Sequence, residues 1–186
     1  MELREALYHR RSIRDFTDQP VDKSIVMNLI QAAIQAPSAI NLQPWAFVVI
    51  QDKALLKRYS DRAKVLDSTA GELAQAHPEL TDMLADPAFN IFYNAGTLIV
   101  ICCKPIGQHA DWDCCLAAQN LMLAAHALGL GTCPVGLAWK LLGEPDVKQE
   151  LHIPAEYTAI MPIIVGFPGR LTPAPARMDP QILCWQ

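Results

Sequence analysis

The 186-residue chain is long enough for one domain that buries about 70% of the surface its unfolded form would expose. Its 15 Lys and Arg residues and 19 Asp and Glu residues leave a net charge of −4, which argues against a general nucleic-acid binder. A hydrophobic fraction of 52% is high for a soluble globular chain and predicts a substantial subunit interface. We expect a single domain over residues 1–186.

The first helix is predicted from Leu3, Ala6 and Leu7, which repeat at helical spacing. The arginines that follow, from Arg10 onward, would lie at its C-terminal end, where cations suit the helix dipole. A second helix should begin after Asp22 as its N-cap and end before Pro37. Its apolar face consists of Ile25, Val26, Leu29, Ile30, Ala33 and Ile34.

The run from Trp45 to Ile50 is short, aromatic and β-branched, which is typical of a buried strand. Residues 52–90 are mostly charged or alanine-rich, and we predict a helical covering element with breaks at His77-Pro78 and Asp86-Pro87. A second buried strand is expected from Thr97 to Cys103.

Between Cys114 and Trp139 there is no Asp, Glu, Lys or Arg, which on charge count alone would fit a membrane span. Asn120 and His126 interrupt the stretch and Gly129 would end a helix, so it indicates a buried helix and then a strand. The first five residues lack the apolar core of a signal peptide. We therefore expect a cytoplasmic protein with no membrane partner.

Asp111 is the predicted cap of this long helix. Its apolar positions leave little polar face and place it at the centre of the protein or of a dimer: Cys115, Leu116, Leu121, Leu123, Ala124, Ala125 and Leu128. His126 among them is interpreted as a core histidine, and Asp111 and Asp113 as helix-start residues.

Two further strands are predicted, from Thr132 to Leu137 and from Tyr157 to Gly166, with a short helix between them that starts near Pro145. Pro162 lacks an N–H, so the last strand should lie at a sheet edge or be bulged there. The tail after Phe167 is rich in proline but ends in apolar residues, which need a surface to cover them, such as a partner subunit.

Six cysteines include two adjacent pairs, Cys102-Cys103 and Cys114-Cys115, with no CxxC or Cys/His spacing of a zinc or redox site. Reduced, packed thiols are the favoured interpretation. A thiol-based redox or metal protein remains an alternative.

Three clusters could carry chemistry. In the first, Arg10-Arg11-Ser12-Ile13-Arg14, guanidinium groups and a hydroxyl could bind a phosphate monoester. A solvated helix end explains the same residues. The second, Ala36 to Trp45, is a stiff turn with small polar side chains, which local turn preferences also explain.

The third cluster, Gly129 to Gly136, has glycines that allow close backbone approach but lacks the G-x-G-x-x-G spacing of a dinucleotide fold. A helix C-cap explains Gly129 and Gly131 well, and explains Pro134-Val135-Gly136 less well.

In this order the clusters resemble the nitroreductase family of FMN-dependent, usually homodimeric oxidoreductases, in particular its short single-domain members. The motifs that carry the resemblance are Arg10 to Arg14, Ala36 to Trp45, and the helix and strand from Asp113 to Gly136. The resemblance implies an α+β fold, a three-layer α/β/α sandwich with a mostly antiparallel central sheet. It also implies a homodimer that exchanges its C-terminal tail and binds FMN at the interface.

The family's site residues carry over as follows. Arg10 and Ser12 would bind the FMN phosphate and ribityl chain, with Arg11 nearby and Arg14 toward the polar edge of the ring. Residues for the flavin of the other subunit would be Pro37, Ser38, Ala39 and Asn41. Residues along the ring face, near N5, would be Pro134, Val135 and Gly136.

Arg177 matches a phosphate-binding arginine of the family's tail. Ala174 and Ala176 stand where relatives commonly carry basic residues, which weakens the phosphate site or shifts it onto Arg10 and Arg11.

The resemblance further implies a ping-pong cycle in which NADH or NADPH reduces flavin N5 and an acceptor such as a nitroaromatic or a quinone is then reduced. The cofactor performs such chemistry, so no catalytic side chain is assigned. Phe89, Phe92 and Tyr93 could line the acceptor pocket or belong to the core. A protein that stores or senses FMN without turnover would share every binding motif.

Overall fold

The computed structural model describes residues 1–68 and 78–186, and its centre is a four-stranded sheet. The strands are β1 (Trp45–Ile50), β2 (Thr97–Cys103), β3 (Gly131–Pro134) and β4 (Thr158–Gly166). Their order across the sheet is β1-β2-β4-β3, and all neighbouring strands are antiparallel.

Helices cover both faces of the sheet. They are α1 (Leu3–His9), α2 (Lys23–Ala33), α3 (Lys53–Ser68), α4 (Pro78–Ala85), α5 (Ala110–Ala127), α6 (Trp139–Gly143) and α7 (Pro145–Glu150), with 3₁₀ turns at Ala39–Asn41 and Gly136–Ala138. Within the described part of the chain, no helix combines the length and apolar character that crossing a membrane requires.

Strand β2 shows why three layers form. Alternate side chains point to opposite faces of a strand, so Ile99 and Ile101 pack into the core beside α2 and α5. Leu98 and Val100 pack into the second core, beside α3 and α6. Because both faces are buried, the strand is a continuous apolar run from Leu98 to Cys103, and the predicted α+β, three-layer fold is confirmed.

The predicted covering element is α3 with α4. Helix α3 buries Leu56 and Tyr59 against the sheet, and the Tyr59 hydroxyl donates to Glu150 Oε2 on α7 at 2.7 Å. The break at Asp86-Pro87 is confirmed by the end of α4 at Ala85. His77, in the other predicted break, lies outside the described residues.

Helix α2 begins after Asp22, as predicted, although the Asp22 side chain makes no capping hydrogen bond. The prediction that Asp111 caps α5 is wrong. The cap is His109, in a left-handed conformation, whose ring stacks on Trp112 at 3.9 Å between centroids. Asp111 therefore lies in the first turn of α5, one residue after its start.

The predicted apolar face of α5 is only partly buried. Leu121 and Ala125 are buried, but Leu116 is 47% exposed, Leu128 is 54% exposed and Cys115 is also exposed. The residues that pack on the sheet follow a different helical stripe, which includes the small residues Cys114, Ala117 and Ala118.

Two expectations for the last strands need correction. Strand β3 ends at Pro134 rather than Leu137, because the chain turns into the 3₁₀ segment Gly136–Ala138. Of the two alternatives predicted for β4 at Pro162, an edge strand or a bulge, the edge position is wrong, since β2 and β3 flank the strand.

Pro162 is nevertheless accommodated within β4. Its carbonyl accepts from Val135 N at 2.9 Å, on the β3 side of the strand, and the N and O of one strand residue face the same side. The missing N–H therefore falls where β3 has ended, and pairing with β2 loses no hydrogen bond at this residue. The ladder with β2 is irregular between Ile101 and Cys102, close to the predicted bulge.

Candidate functional site

The basic turn, Arg10 to Arg14 directly after α1, is hydrogen-bonded along the β3 edge of the sheet. Ser12 forms a parallel bridge with Thr132, and Ile13 N donates to Thr132 O at 2.9 Å. Further along, Thr17 N donates to Phe167 O, also at 2.9 Å. These backbone hydrogen bonds fix the backbone positions from which the arginine side chains extend.

Two glycines allow this close approach. A Cβ at Gly131 would lie 2.8 Å from Ile13 Cβ, and a Cβ at Gly166 would lie 2.8 Å from the Phe16 ring. Real Cβ atoms essentially never make such contacts, so β3 needs glycine where Ile13 crosses it and β4 needs glycine where Phe16 crosses it.

Arg10 is the centre of a cationic cluster. Burial, together with the charges of Arg11 and Arg177, lowers the pKa of the Arg10 guanidinium. Its Nη1 atom is buried and has no hydrogen-bond partner in the described residues. Since buried polar atoms are nearly always bonded, this nitrogen is available to an acceptor from outside the chain.

Ser12, Arg14 and Tyr93 extend the cluster toward the end of β3. Burial raises the pKa of the Cys133 thiol, and the charge of Arg14 and a hydrogen bond with Ser12 oppose this shift. The Arg14 guanidinium lies 5.8 Å from the centre of the Tyr93 ring. The fold therefore brings the first and third sequence clusters together.

The Pro134-Val135-Gly136 segment presents few backbone donors. Pro134 has no N–H, and Val135 N donates to the Pro162 carbonyl. Gly136 is exposed, and nothing lies within 4 Å of where its Cβ would be. Of these three described residues, Gly136 is the one whose N–H can meet a ligand.

The turn between α2 and β1 is strained. Ile40, Asn41 and Gln43 have φ values of 42°, 60° and 48°, and Ile40 is 92% exposed. A β-branched residue in the left-handed region is a genuine outlier, and such strain persists only where neighbours over-determine it. Ser38 Oγ accepts from Gln43 N at 3.0 Å, and Asp113 Oδ2 accepts from Ala39 N at 3.1 Å.

This strained turn lies far from the basic turn of the same chain. Asp113, which accepts a hydrogen bond from the strained turn, is in the first turn of α5. His126 is in the last turn of α5, where the charge of Arg10 lowers the pKa of its imidazole. The thirteen residues from Asp113 to His126, with a helical rise of 1.5 Å each, place these two residues about 20 Å apart along the helix axis. One chain thus assembles Arg10, Arg11, Ser12, Arg14, Arg177 and the Pro134 to Gly136 segment, and leaves Pro37, Ser38, Ala39 and Asn41 apart.

Comparison with known proteins decides the family. The sequence model described as the nitroreductase family matches residues 7–167. The chain belongs to the nitroreductase family. Protein DrgA of Synechocystis sp. is 31% identical to this chain over 181 residues, which cover 88% of this chain and 82% of that relative.

An FMN reductase [NAD(P)H] of Bacillus subtilis is 28% identical over 178 residues, which cover 90% of this chain and 66% of that relative. Among solved structures, an FMN-dependent nitroreductase of Clostridium difficile superposes with a TM-score of 0.80 at 26% identity. That superposition covers 99% of both chains. The nitroreductase-like fold inferred from the sequence is thus confirmed.

The remaining sequence interpretations have mixed outcomes. Phe92 is fully buried in the core, whereas Tyr93 is half-buried beside Arg14. Cys102, Cys103, Cys114 and Cys133 are buried, as predicted, but Cys115 and Cys184 are exposed. The assignments of individual flavin-binding residues stay predictions.

Sequence reasoning missed two features of the site. Asp113 is more than a helix-start residue, because its buried carboxylate fastens the strained turn. The signal in the sequence was a second acidic residue, after Asp111, at the start of a helix that carries no further acidic residue. His126 has a buried Nε2 atom with no hydrogen-bond partner in the described residues, and no sequence pattern marks it.

Replacing Asp113 by alanine tests the fastening of this turn. We expect Asp113→Ala to lower the free energy of unfolding by about 1.5 kcal/mol, the lower end for a hydrogen bond to a charged group, since the exposed turn can rebond to water. Asp113→Asn keeps an acceptor oxygen and should lose less. Urea unfolding of the three proteins measures the difference, and equal midpoints for wild type and Asp113→Ala would contradict the role.

Proposed function

We propose that this chain is an FMN-dependent NAD(P)H oxidoreductase, active as a homodimer, that reduces nitroaromatic, quinone or similar electrophilic acceptors. The observation that carries the proposal is the buried, unpartnered Nη1 of Arg10, in a cluster with Arg11 and Arg177. Family membership and the FMN and NAD(P)H named for its relatives support it.

The cluster fits a phosphate monoester. Such a group carries close to two negative charges at neutral pH, and planar guanidinium groups meet it with paired hydrogen bonds. The charges of Arg11 and Arg177 both act on Arg10, so the three cations repel one another until an anion neutralises them. Ser12, bridged to β3, adds a hydroxyl donor beside them.

When bound, FMN would supply the redox chemistry, accepting a hydride from NAD(P)H and passing reducing equivalents to the acceptor. The chain's own residues bind and orient. Arg10, Arg11, Ser12 and Arg177 would hold the phosphate and ribityl chain, and Arg14 would lie toward the polar edge of the ring. The exposed Gly136 would offer its N–H to the ring face, with Pro134 and Val135 alongside.

The turn that carries Pro37, Ser38, Ala39 and Asn41 would complete the site of the second subunit. Its distance of about 20 Å along α5 from the basic turn keeps it out of its own chain's cluster. Its strained backbone, fixed by Asp113, would present these residues outward to the partner's flavin.

A dimer would also cover the chain's exposed apolar surface. Leu116 on α5 and Leu128 directly after it are about half exposed, and in the C-terminal tail Leu183 is 88% exposed and Trp185 is 87% exposed. The proposed partner surface for the tail is the second subunit.

The dimer is testable in the tail. We expect the double substitution Leu183→Asp with Trp185→Asp to weaken dimerisation at least tenfold, because burying one such side chain stabilises by about 1.5–3 kcal/mol. Val65→Asp, at an exposed position on α3, is the matched control and should leave the dimer intact. Sedimentation velocity over a range of concentrations measures both, and a wild-type monomer that retains FMN would contradict the proposal.

Thiol chemistry has little physical support. Burial raises the pKa of Cys102 to about 11 and also raises the pKa of Cys114, so these thiols stay protonated and unreactive at neutral pH. Burial and the Asp111 charge likewise raise the pKa of the exposed Cys115.

The function is tested by flavin content and turnover together. Purified protein should release about one FMN per subunit and should reduce a quinone or nitroaromatic acceptor with NADH or NADPH in ping-pong kinetics. The variants Cys103→Ser and Cys115→Ser should keep this turnover. Flavin without turnover would instead indicate a storage or sensing protein, and turnover that is lost in the cysteine variants would indicate thiol chemistry.

A further inference from the structure

The unpartnered nitrogen of His126 lies in the same region as that of Arg10. His126 is in the last turn of α5, the helix against which α1 packs, and its Nε2 atom is buried without a hydrogen-bond partner in the described residues. Arg10 Nη1 is likewise buried without a hydrogen-bond partner in the described residues, and the Arg10 charge lowers the pKa of His126.

A common acceptor explains both atoms. A guanidinium nitrogen only donates, and an imidazole nitrogen donates when it carries a proton. Neighbouring buried donors with no acceptor each carry a desolvation penalty, which one multivalent anion can remove from both. A phosphate has three acceptor oxygens and so can serve Arg10 and His126 together.

We propose that His126 is a phosphate-binding residue, donating from Nε2 to the same phosphate that Arg10 binds. This role rests on the proposed function, because it takes the phosphate to be that of FMN. It makes His126 a cofactor-binding residue rather than a core histidine.

The pKa of His126 provides a second test of this role. Burial and the positive charges of Arg10, His9 and Arg11 lower the pKa of His126, whereas the Glu5 carboxylate raises it. A phosphate dianion beside the ring would offset these cations. The pKa of His126 should therefore be higher in the FMN complex than in the riboflavin complex, since riboflavin lacks the phosphate.

Affinities for FMN and riboflavin test the contact directly. Each flavin is titrated into flavin-free, full-length protein, and the ratio of the two dissociation constants isolates the phosphate. We expect His126→Leu to reduce the preference for FMN about tenfold or more, as for loss of a hydrogen bond to a charged group. His126→Gln, whose amide can still donate, should keep most of the preference, and the control His9→Leu, which removes an exposed neighbouring imidazole, should keep all of it.

A measurement on the wild-type protein covers the case in which His126→Leu does not fold. The chain has five histidines, so ¹⁵N-histidine labelling gives a simple spectrum in which His126→Gln assigns the His126 signal. A higher pKa with FMN than with riboflavin supports the contact. An unchanged FMN preference in His126→Leu, or equal pKa values in the two complexes, would overturn it while leaving the proposed function standing. Failure of the wild-type protein to bind FMN would instead contradict the proposed function itself.

Discussion

Replacing Arg10 by alanine is expected to weaken FMN binding by about 1.5–3 kcal/mol, the range for a hydrogen bond to a charged group. The buried Nη1 of Arg10 has no partner within the described chain, so removing it breaks no internal hydrogen bond of that atom. The loss should therefore appear in affinity for the phosphate rather than in folding. Fluorescence titration of FMN into the flavin-free protein measures it.

Arg4→Ala is the matched control for this change. Arg4 lies on α1, the helix that precedes Arg10, is exposed, and has its guanidinium 5.5 Å from the centre of the Tyr8 ring. It should bind FMN as the wild type does. Arg10→Lys keeps the charge but not the planar pair of donors, so an intermediate affinity is expected. Unchanged FMN affinity in Arg10→Ala would show that the phosphate lies elsewhere.

Gly131→Ala is expected to destabilise the fold by about 1–3 kcal/mol, the range for overpacking in a tightly packed interior, and to weaken FMN binding with it. The new Cβ would lie 2.8–2.9 Å from Ile13 side-chain atoms, so the basic turn must move away from β3. Ser12, which bridges to Thr132 in that turn, would move too.

The control for this substitution is Gly143→Ala. Nothing lies within 4 Å of the position that a Cβ would take at Gly143, at the end of α6, so both stability and FMN affinity should stay near wild type. Urea unfolding gives the first quantity and flavin titration the second. A Gly131→Ala protein as stable as Gly143→Ala would mean that the basic turn is not held against β3 as described.

The elements that could be predicted from the sequence are the strands that are buried on both faces. Strand β2 is buried at every position and apolar from Leu98 to Cys103 because both of its faces pack into a core, and such a run is visible without coordinates. The end of β3 was not predictable in this way. The run from Thr132 to Leu137 contains no charged residue to mark its end, but the Val135–Pro162 hydrogen bond and the following 3₁₀ turn end the strand at Pro134.

The site shows the same division. The basic turn was predicted from its residues and its order among the motifs, since arginine chemistry is local to the side chain. The strain at Ile40 was not, because the turn contains no glycine to signal a positive φ. His126 was assigned to the core, since only tertiary structure reveals that its Nε2 is buried, unpartnered and beside Arg10.

Anaerobic mixing of the purified protein with NADH or NADPH tests the central proposal most directly. Oxidised FMN is yellow, so the account predicts that its visible absorbance bleaches on addition of one of the nicotinamides. The absorbance should then return on addition of a quinone or nitroaromatic acceptor. A protein that binds FMN stoichiometrically but keeps its absorbance with both nicotinamides would contradict the assignment as an NAD(P)H oxidoreductase.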